Sequence, residues 1–288
     1  MDRRPAGALR AAGRVAAGGA VTAAGVALAP ATALLGRAAR HRLTRAWARA
    51  VLRAFGVRVR IVAGGGGGAG AQAWTDPGPG GAAGVARPAG CLVVANHVSW
   101  LDIPLIAAVL PGRMLAKAEV RRWPVLGVVA ARGGTLFVER DRLRALPGTV
   151  AQLAAALRRG ARVVVFPEGS TWCGRAQGRF RPAAFQAALD AGVPVQPVRL
   201  AYTPTGAAAF VGDDPLAVSL WRVARAGRLT AEIRLLPPIP AAGRADRRSL
   251  ARTAQLAVAS ESANRPSRSV HQCANSSSAE ASSSRTRS

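Results

Sequence analysis

Residues 91–104 read CLVVANHVSWLDIP, and how this stretch is read decides the fold. Cys91–Ala95 is an apolar run of five residues, too short for a core helix and suited to a strand buried on both faces. Asn96–Ser99 is a polar break whose serine suits a helix N-cap, and Leu101–Val109 then carries a helical pattern. The same alternation continues down the chain. Short apolar runs at Thr135–Val138, Arg162–Phe166, Val195–Leu200 and Glu232–Leu236 alternate with helical patterns at Leu143–Arg159, Pro182–Ala191 and Ser219–Ala226. Strands interleaved with helices predict an α/β domain with a mostly parallel sheet flanked by helices.

Upstream, Val15–Leu35 runs for twenty-one residues without a charge, with Arg10 and Arg14 before it and Arg37 and Arg40 after it. The length suits a membrane-spanning helix of ~20 residues, although Ala and Gly dominate the content. An arginine-rich start followed by small residues at 29–33 also fits a secretory signal. We read the segment as a membrane anchor, either single-pass or lying in the interface; basic residues on both sides leave its orientation open. Arg37–Phe55 continues as a basic amphipathic helix, with Leu43, Trp47, Val51 and Leu52 forming one stripe among five arginines. That stripe either packs on the domain or rests on anionic headgroups. Val57–Val62 alternates like a strand, and 64–90 is a Gly-rich stretch without the GK[ST] ending of a phosphate loop, so a flexible surface loop is expected. A last helix is expected from Arg247 to about Ser260. The expected organisation is a basic N-terminus at 1–14, anchor and basic helix at 15–55, the α/β domain at 56–259 and a disordered Ser-rich tail at 260–288.

Composition narrows the function. Half of the 288 residues are apolar but only 5% are aromatic, so Ala, Val and Leu must do most of the packing. The net charge of +26 admits an enzyme for acidic substrates, a protein of anionic membrane surfaces or a nucleic-acid binder. Lys117 is the lone lysine among forty basic residues, a bias toward arginine that charges a surface without choosing a partner. No helix-turn-helix, zinc finger or RNP motif accompanies the charge, and no nucleic-acid partner is expected. Cys91, Cys173 and Cys273 are far apart and odd in number, which excludes a disulfide-built fold and a CxxC metal site. Neither a metal nor a cofactor is expected.

Of His41, His97 and His271, His97 alone follows a buried strand and precedes a helix. Asp102 stands five residues on. On a regular helix these side chains would point about 140° apart, so they pair only if His97 lies in the strand-to-helix turn and the helix starts near Ser99. A carboxylate on one ring nitrogen then fixes the tautomer and leaves the other nitrogen as a general base. Arg140 ends the strand holding Phe137 and Val138, where a guanidinium can grip phosphate oxygens bidentately or simply face solvent beside Glu139 and Asp141. Phe166–Gly169 closes another buried strand, which puts Glu168 at a sheet's carboxyl end, where α/β proteins bind ligands; Gly169 lets backbone N–H groups come close. Ser99 lacks a G-x-S-x-G elbow and reads as a cap before it reads as a substrate contact.

NHVSWLDIP (Asn96–Pro104) resembles the first signature block of the glycerolipid acyltransferases, the family of 1-acyl-glycerol-3-phosphate acyltransferases, whose NHxSxxD block is the catalytic core. Three blocks resembling the family's others follow in order: Lys117-Ala-Glu119 with GGTLFVER (Gly133–Arg140), FPEGS (Phe166–Ser170) and VPVQPV (Val193–Val198). The resemblance covers about Arg37 to Pro240. It implies His97 and Asp102 as the catalytic pair, Arg140 on the substrate phosphate, and Asn96, Ser99, Lys117, Glu168, Gly169 and Ser170 around the substrate, with Glu168 assigned to the acceptor's hydroxyls or to orienting an arginine. The implied reaction moves a fatty acyl group from acyl-CoA or acyl carrier protein to the free hydroxyl of a lysophospholipid. The first acceptor is 1-acyl-glycerol-3-phosphate, giving phosphatidic acid. Ser170-Thr171-Trp172 replaces the TR that often follows FPEG, and Trp172–Asp214 is similar to members acylating other lysolipids, lyso-ornithine lipid among them. An inactive lipid-binding homologue and a basic nucleic-acid binder are the remaining alternatives. Thioester donors are cytosolic, so the cytoplasmic face of the cell membrane is the expected location.

Overall fold

The computed structural model describes residues 7–32, 34–63, 90–123, 126–139, 142–212, 214–243 and 246–260. Arg140, nearly all of the Gly-rich stretch and the Ser-rich tail beyond Ser260 lie outside the described residues, and with them what was expected there.

Seven strands form one sheet: β1 (Val57–Ala63), β2 (Cys91–Ala95), β3 (Arg113–Lys117), β4 (Leu136–Val138), β5 (Arg162–Val165), β6 (Val195–Thr203) and β7 (Leu229–Leu235), in the order β1-β7-β6-β2-β5-β3-β4. β2 pairs in parallel with both β5 and β6, and β3 pairs in parallel with β5 and β4. β7 runs antiparallel to β6 and carries β1 with it, so the two edge strands on that side are reversed. The sheet is therefore mostly parallel.

Burial explains which sequences became strands. All five residues of β2 are buried, as a central strand covered on both faces requires. β7 alternates instead, burying Leu229, Ala231, Ile233 and Leu235 while Thr230, Glu232 and Arg234 stay half-exposed. β3, sequence RMLAK, had no apolar run to announce it. It is a strand because β5 and β4 supply partners on both sides, through pairs such as Met114 with Val164 and Ala116 with Phe137.

β2 shows how the core divides. Cys91, Val93 and Ala95 face one layer and Leu92 and Val94 the other. The first layer includes α2 (Arg37–Ala54) and α3 (Asp102–Ala107), through Leu52, Leu105 and Ile106. After α4 (Leu126–Arg132), the second layer is built from α5 (Leu146–Arg158), α6 (Ala183–Ala191) and α9 (Arg247–Ser260), through Leu153, Leu157, Phe185 and Leu250. Each of these large side chains is essentially solvent-free, which stabilises the fold by about 1.5–3 kcal/mol apiece. Two further helices, α7 (Thr205–Ala208) and α8 (Leu216–Arg225), lie between β6 and β7 in the chain.

The N-terminal helices sit on the first layer. In α2, Ala48, Val51 and Leu52 are buried and Trp47 is half-buried, so most of the apolar stripe packs on the protein while Leu43 drifts into solvent. α1 (Ala8–Thr32) is long and apolar enough, by length and composition, to cross a membrane. It lies along α2. Gly18 lies so close to the Phe55 ring that a Cβ there would fall within 2.3 Å of it, and Gly25 is as tight against the Trp47 indole. The Trp47 indole N–H donates to the Val21 carbonyl at 3.0 Å. Arg14 donates to the carbonyls of Ala224 and Ala226 at 2.9 and 3.1 Å, and Arg132 donates to that of Val26 at 3.0 Å. Only Ala11 and Gly18 of α1 are buried, and Leu9 and Leu28 are exposed.

Candidate active site

The carboxyl ends of β2 and β5 lie side by side, and the turns that follow them, 96–101 and 166–170, form one constellation. α3 begins at Asp102, not near Ser99 as the sequence suggested. The turn is thus longer than a simple N-cap would make it. Its extra length lets His97 fold back, with Nδ1 at 2.7 Å from Asp102 Oδ2.

Asp102 is fully buried and organises the turn around itself. Its Oδ2 also accepts the backbone N–H groups of Val98 at 2.7 Å and Ser99 at 2.9 Å, and its Oδ1 accepts the Tyr202 hydroxyl at 2.5 Å. A buried carboxylate is tolerated only when its lone pairs are used in this way. The His97 ring stacks on Phe166 with centroids 4.0 Å apart and planes 13° from parallel. Its side chain stays 19% exposed, and Nε2 has no protein partner among the described residues. A tautomer with the proton on Nδ1, donated to Asp102, leaves Nε2 as an open lone pair facing outward. Such an imidazole can take a proton from a hydroxyl that reaches it, while the carboxylate steadies the imidazolium that results.

The backbone of the turn is held from three further directions. Glu168 Oε2 accepts the His97 N–H at 2.7 Å, the His97 carbonyl accepts the Trp172 N–H at 2.7 Å, and the Val98 carbonyl accepts the Phe210 N–H at 3.0 Å. Glu168, which the resemblance assigns to the acceptor's hydroxyls or to orienting an arginine, is engaged here with backbone N–H groups. The side chain is 4% exposed and its second oxygen accepts the Gly178 N–H at 3.0 Å, so the carboxyl group ties the His97 turn to the 172–180 loop. Burial pushes its pKa up to about 8, with the nearby Asp102 charge adding to the rise and the two N–H donors opposing it.

Three neighbouring side chains are placed as follows. The Asn96 side-chain amide exchanges two hydrogen bonds with the Leu200 backbone at 2.8 and 2.9 Å, continuing the β2–β6 ladder by one step. Ser99 is fully buried, and its hydroxyl accepts the Leu101 N–H at 3.3 Å, closing the turn ahead of the helix. Trp100 packs edge-on against Phe55 at 5.1 Å and donates to Ser219 at 3.2 Å. Gly169 adopts φ 85° and donates its N–H to the Phe166 carbonyl at 3.1 Å; the turn needs that left-handed geometry. Ser170 is half-buried on the same turn. Lys117 is exposed at the carboxyl end of β3, two strands from β2.

Tyr202 was missed. A tyrosine ending an apolar strand is a buried hydroxyl in need of a partner, which is the one hint the sequence held. That the partner is Asp102, one hundred residues earlier, follows from β6 lying beside β2.

The arrangement has counterparts. Residues 82–201 match the family model described as acyltransferase. The chain is 46% identical over 175 residues to the lyso-ornithine lipid O-acyltransferase of Pseudomonas aeruginosa, a match covering 58% of this chain and 66% of that protein. It is 39% identical to the 1-acyl-sn-glycerol-3-phosphate acyltransferase of Neisseria gonorrhoeae, covering 57% and 66%. With the lyso-ornithine lipid O-acyltransferase of Brucella abortus it shares 37% identity, covering 59% and 70%. The first two matches thus span just under two thirds of those relatives' length. The crystal structure of the LPA acyltransferase PlsC from Thermotoga maritima superposes with a TM-score of 0.64 at 18% identity, over 88% of this chain and 95% of that one, and shares the fold.

Proposed function

The chain belongs to the acyltransferase family, and from that premise we propose that it moves a fatty acyl group from a thioester to the free hydroxyl of a membrane lysolipid. The observation that carries this reading is the His97–Asp102 contact of 2.7 Å, with the acid sealed from solvent and Nε2 open. Nε2 takes the acceptor's hydroxyl proton as that oxygen attacks the thioester carbonyl. The new C–O bond forms, the C–S bond breaks, and the departing sulfur receives the proton from the imidazolium. The acceptor is its own nucleophile, so no acyl-enzyme is required. The donor is acyl-CoA or acyl carrier protein.

Two acceptors fit. The relative sharing 46% identity supports lyso-ornithine lipid, as does Ser170-Thr171-Trp172 in place of the TR that often follows FPEG. The GGTLFVER block, with Arg140 at its end, supports 1-acyl-glycerol-3-phosphate through a guanidinium on its phosphate. Both reactions use the same base.

α1 supplies the membrane contact. Its exposed apolar residues and its attachment along α2, with Arg14 near one end and Arg132 reaching it near the other, support a helix lying in the interface beside the domain. The exposed arginines of α2 would meet anionic headgroups, and a cytosolic thioester supply supports the cytoplasmic face.

Labelled acyl-CoA or acyl carrier protein, a panel of lysolipids and membranes bearing the protein test the reading. Wild type is expected to acylate at least one of the two acceptors. His97→Ala is expected to lose about 10³-fold or more in kcat while staying folded and membrane-bound. Equal turnover in the variant would refute the proposal.

A further inference from the structure

Asp102 does not hold His97 alone. Four donors converge on its two oxygens, and they divide unequally: Oδ2 takes the His97 ring and two backbone N–H groups, whereas Oδ1 takes the Tyr202 hydroxyl at 2.5 Å. The phenol is 3% exposed, sits on β6 and approaches from the side opposite the turn. Its backbone is pinned as well. Tyr202 stands opposite Ala231 in the β6–β7 register, and its carbonyl accepts the Thr205 hydroxyl at 2.9 Å. A short hydrogen bond from a fixed phenol to a buried carboxylate orients that carboxylate and draws charge toward the oxygen it binds.

We infer that Tyr202 is a positioning residue for the acyl-transfer site: its hydroxyl fixes the Asp102 carboxylate with Oδ2 toward the imidazole and sets how strongly that imidazole takes a proton. The inference rests on the acyl-transfer reading for its kinetic consequence, while its structural content stands apart from turnover. Burial and the adjacent Asp102 charge push the Tyr202 hydroxyl well above the ordinary tyrosine range, so it remains a donor at every pH at which the protein works. Among the described residues, two titratable groups hydrogen-bond to the His97–Asp102 pair from packed elements, Tyr202 on β6 and Glu168 on the turn after β5; Phe166 covers the ring with an apolar face.

The chain contains a single tyrosine, which makes the test unusually clean. Growing cells on fluorinated tyrosines alters the acidity of this one hydroxyl and nothing else in the protein. Tyr202→Phe removes the donor and leaves the ring. In Tyr202→Phe, charge released from Oδ1 strengthens the hold of Oδ2 on the imidazolium. The acid limb of the kcat/KM profile is then expected to move to higher pH, kcat to fall about 10- to 100-fold, and KM for either substrate to change less than twofold. Fluorotyrosine, a stronger donor, is expected to move the same limb to lower pH. Nitrogen-15 NMR of the His97 ring, assigned by its loss in His97→Ala, follows the same shifts without any turnover. If no lysolipid is acylated by wild type, the acyl-transfer reading fails while the NMR comparison still decides the role of Tyr202. Imidazole titrations that superimpose across wild type, fluorotyrosine protein and Tyr202→Phe, with activity falling only in proportion to the folded fraction, would overturn the inference.

Discussion

The turn at 96–102, with Val98 and Leu101 buried in the core, and the mostly exposed helix α1 at Ala8–Thr32 are fixed by different means. The turn has seven residues and is held by directed hydrogen bonds to two buried carboxyl groups, Asp102 and Glu168. α1 has twenty-five residues, satisfies its own backbone, and touches the domain through glycine notches and arginine–carbonyl bonds. The difference follows from what each segment would lose if released. An unpaired buried carboxylate is costly, so every donor in the turn is coupled to the others. Releasing α1 gives up two glycine notches and a few hydrogen bonds involving Arg14, Arg132 and Trp47, and strands no buried charge. The candidate site is therefore built where departure is expensive, and the attachment of α1 where it is cheap.

The comparison can be broken most forcefully at its costly end. Asp102→Ala leaves two backbone N–H groups and the Tyr202 hydroxyl without their acceptor in a buried site, and a loss of about 3–5 kcal/mol is expected. Urea unfolding of the variant measures it, and a loss under 1 kcal/mol would mean that water or neighbouring groups replace the carboxylate. Glu168→Gln sharpens the same side. A Glu held near pKa 8 when folded, against 4.5 ordinarily, binds its proton more tightly in the native state. Its contribution to stability is full below about pH 4.5 and is lost as pH rises toward 8. Wild-type Tm should therefore fall by roughly 5 °C more than that of Glu168→Gln between pH 5 and 8, whereas parallel curves would place the carboxyl in a wetter setting. At the cheap end, Gly18→Leu drives a side chain into the Phe55 ring and should displace α1 at a cost of about 1–3 kcal/mol. Turnover of detergent-dispersed substrate should stay within about twofold of wild type, since the chemistry sits on the other attachment scheme. A tenfold loss would show that the two regions are coupled.

How much of this was legible in the chain varied with the range of the forces involved. β2 and β5 announced themselves by apolar runs, and the pattern of strands with helices sufficed for a mostly parallel α/β sheet. β3 did not, because RMLAK becomes a strand through its neighbours' hydrogen bonds. The His97–Asp102 pair was legible as a possibility conditional on a turn; the condition is met in a different way, with the helix starting three residues later than Ser99. Glu168 was read as meeting the acceptor's hydroxyls or orienting an arginine from its position at a strand's carboxyl end, and its backbone partners were not legible. Here the 172–180 loop folds over it, a closure that no local pattern records. The apolar stripe of α2 left membrane and core equally possible, and packing against β1 and α3 decided for the core through Leu52 and Val51.

By itself the sequence determined the layering of the domain and singled out His97 and Asp102 as a candidate pair, since strand length, apolar periodicity and a five-residue spacing are local properties. Which groups complete the site was decided only in three dimensions. Tyr202 meets Asp102 and Glu168 meets His97 because parallel strands far apart in the chain end side by side at one edge of the sheet. Desolvation there makes each polar group depend on partners that chain proximity does not supply.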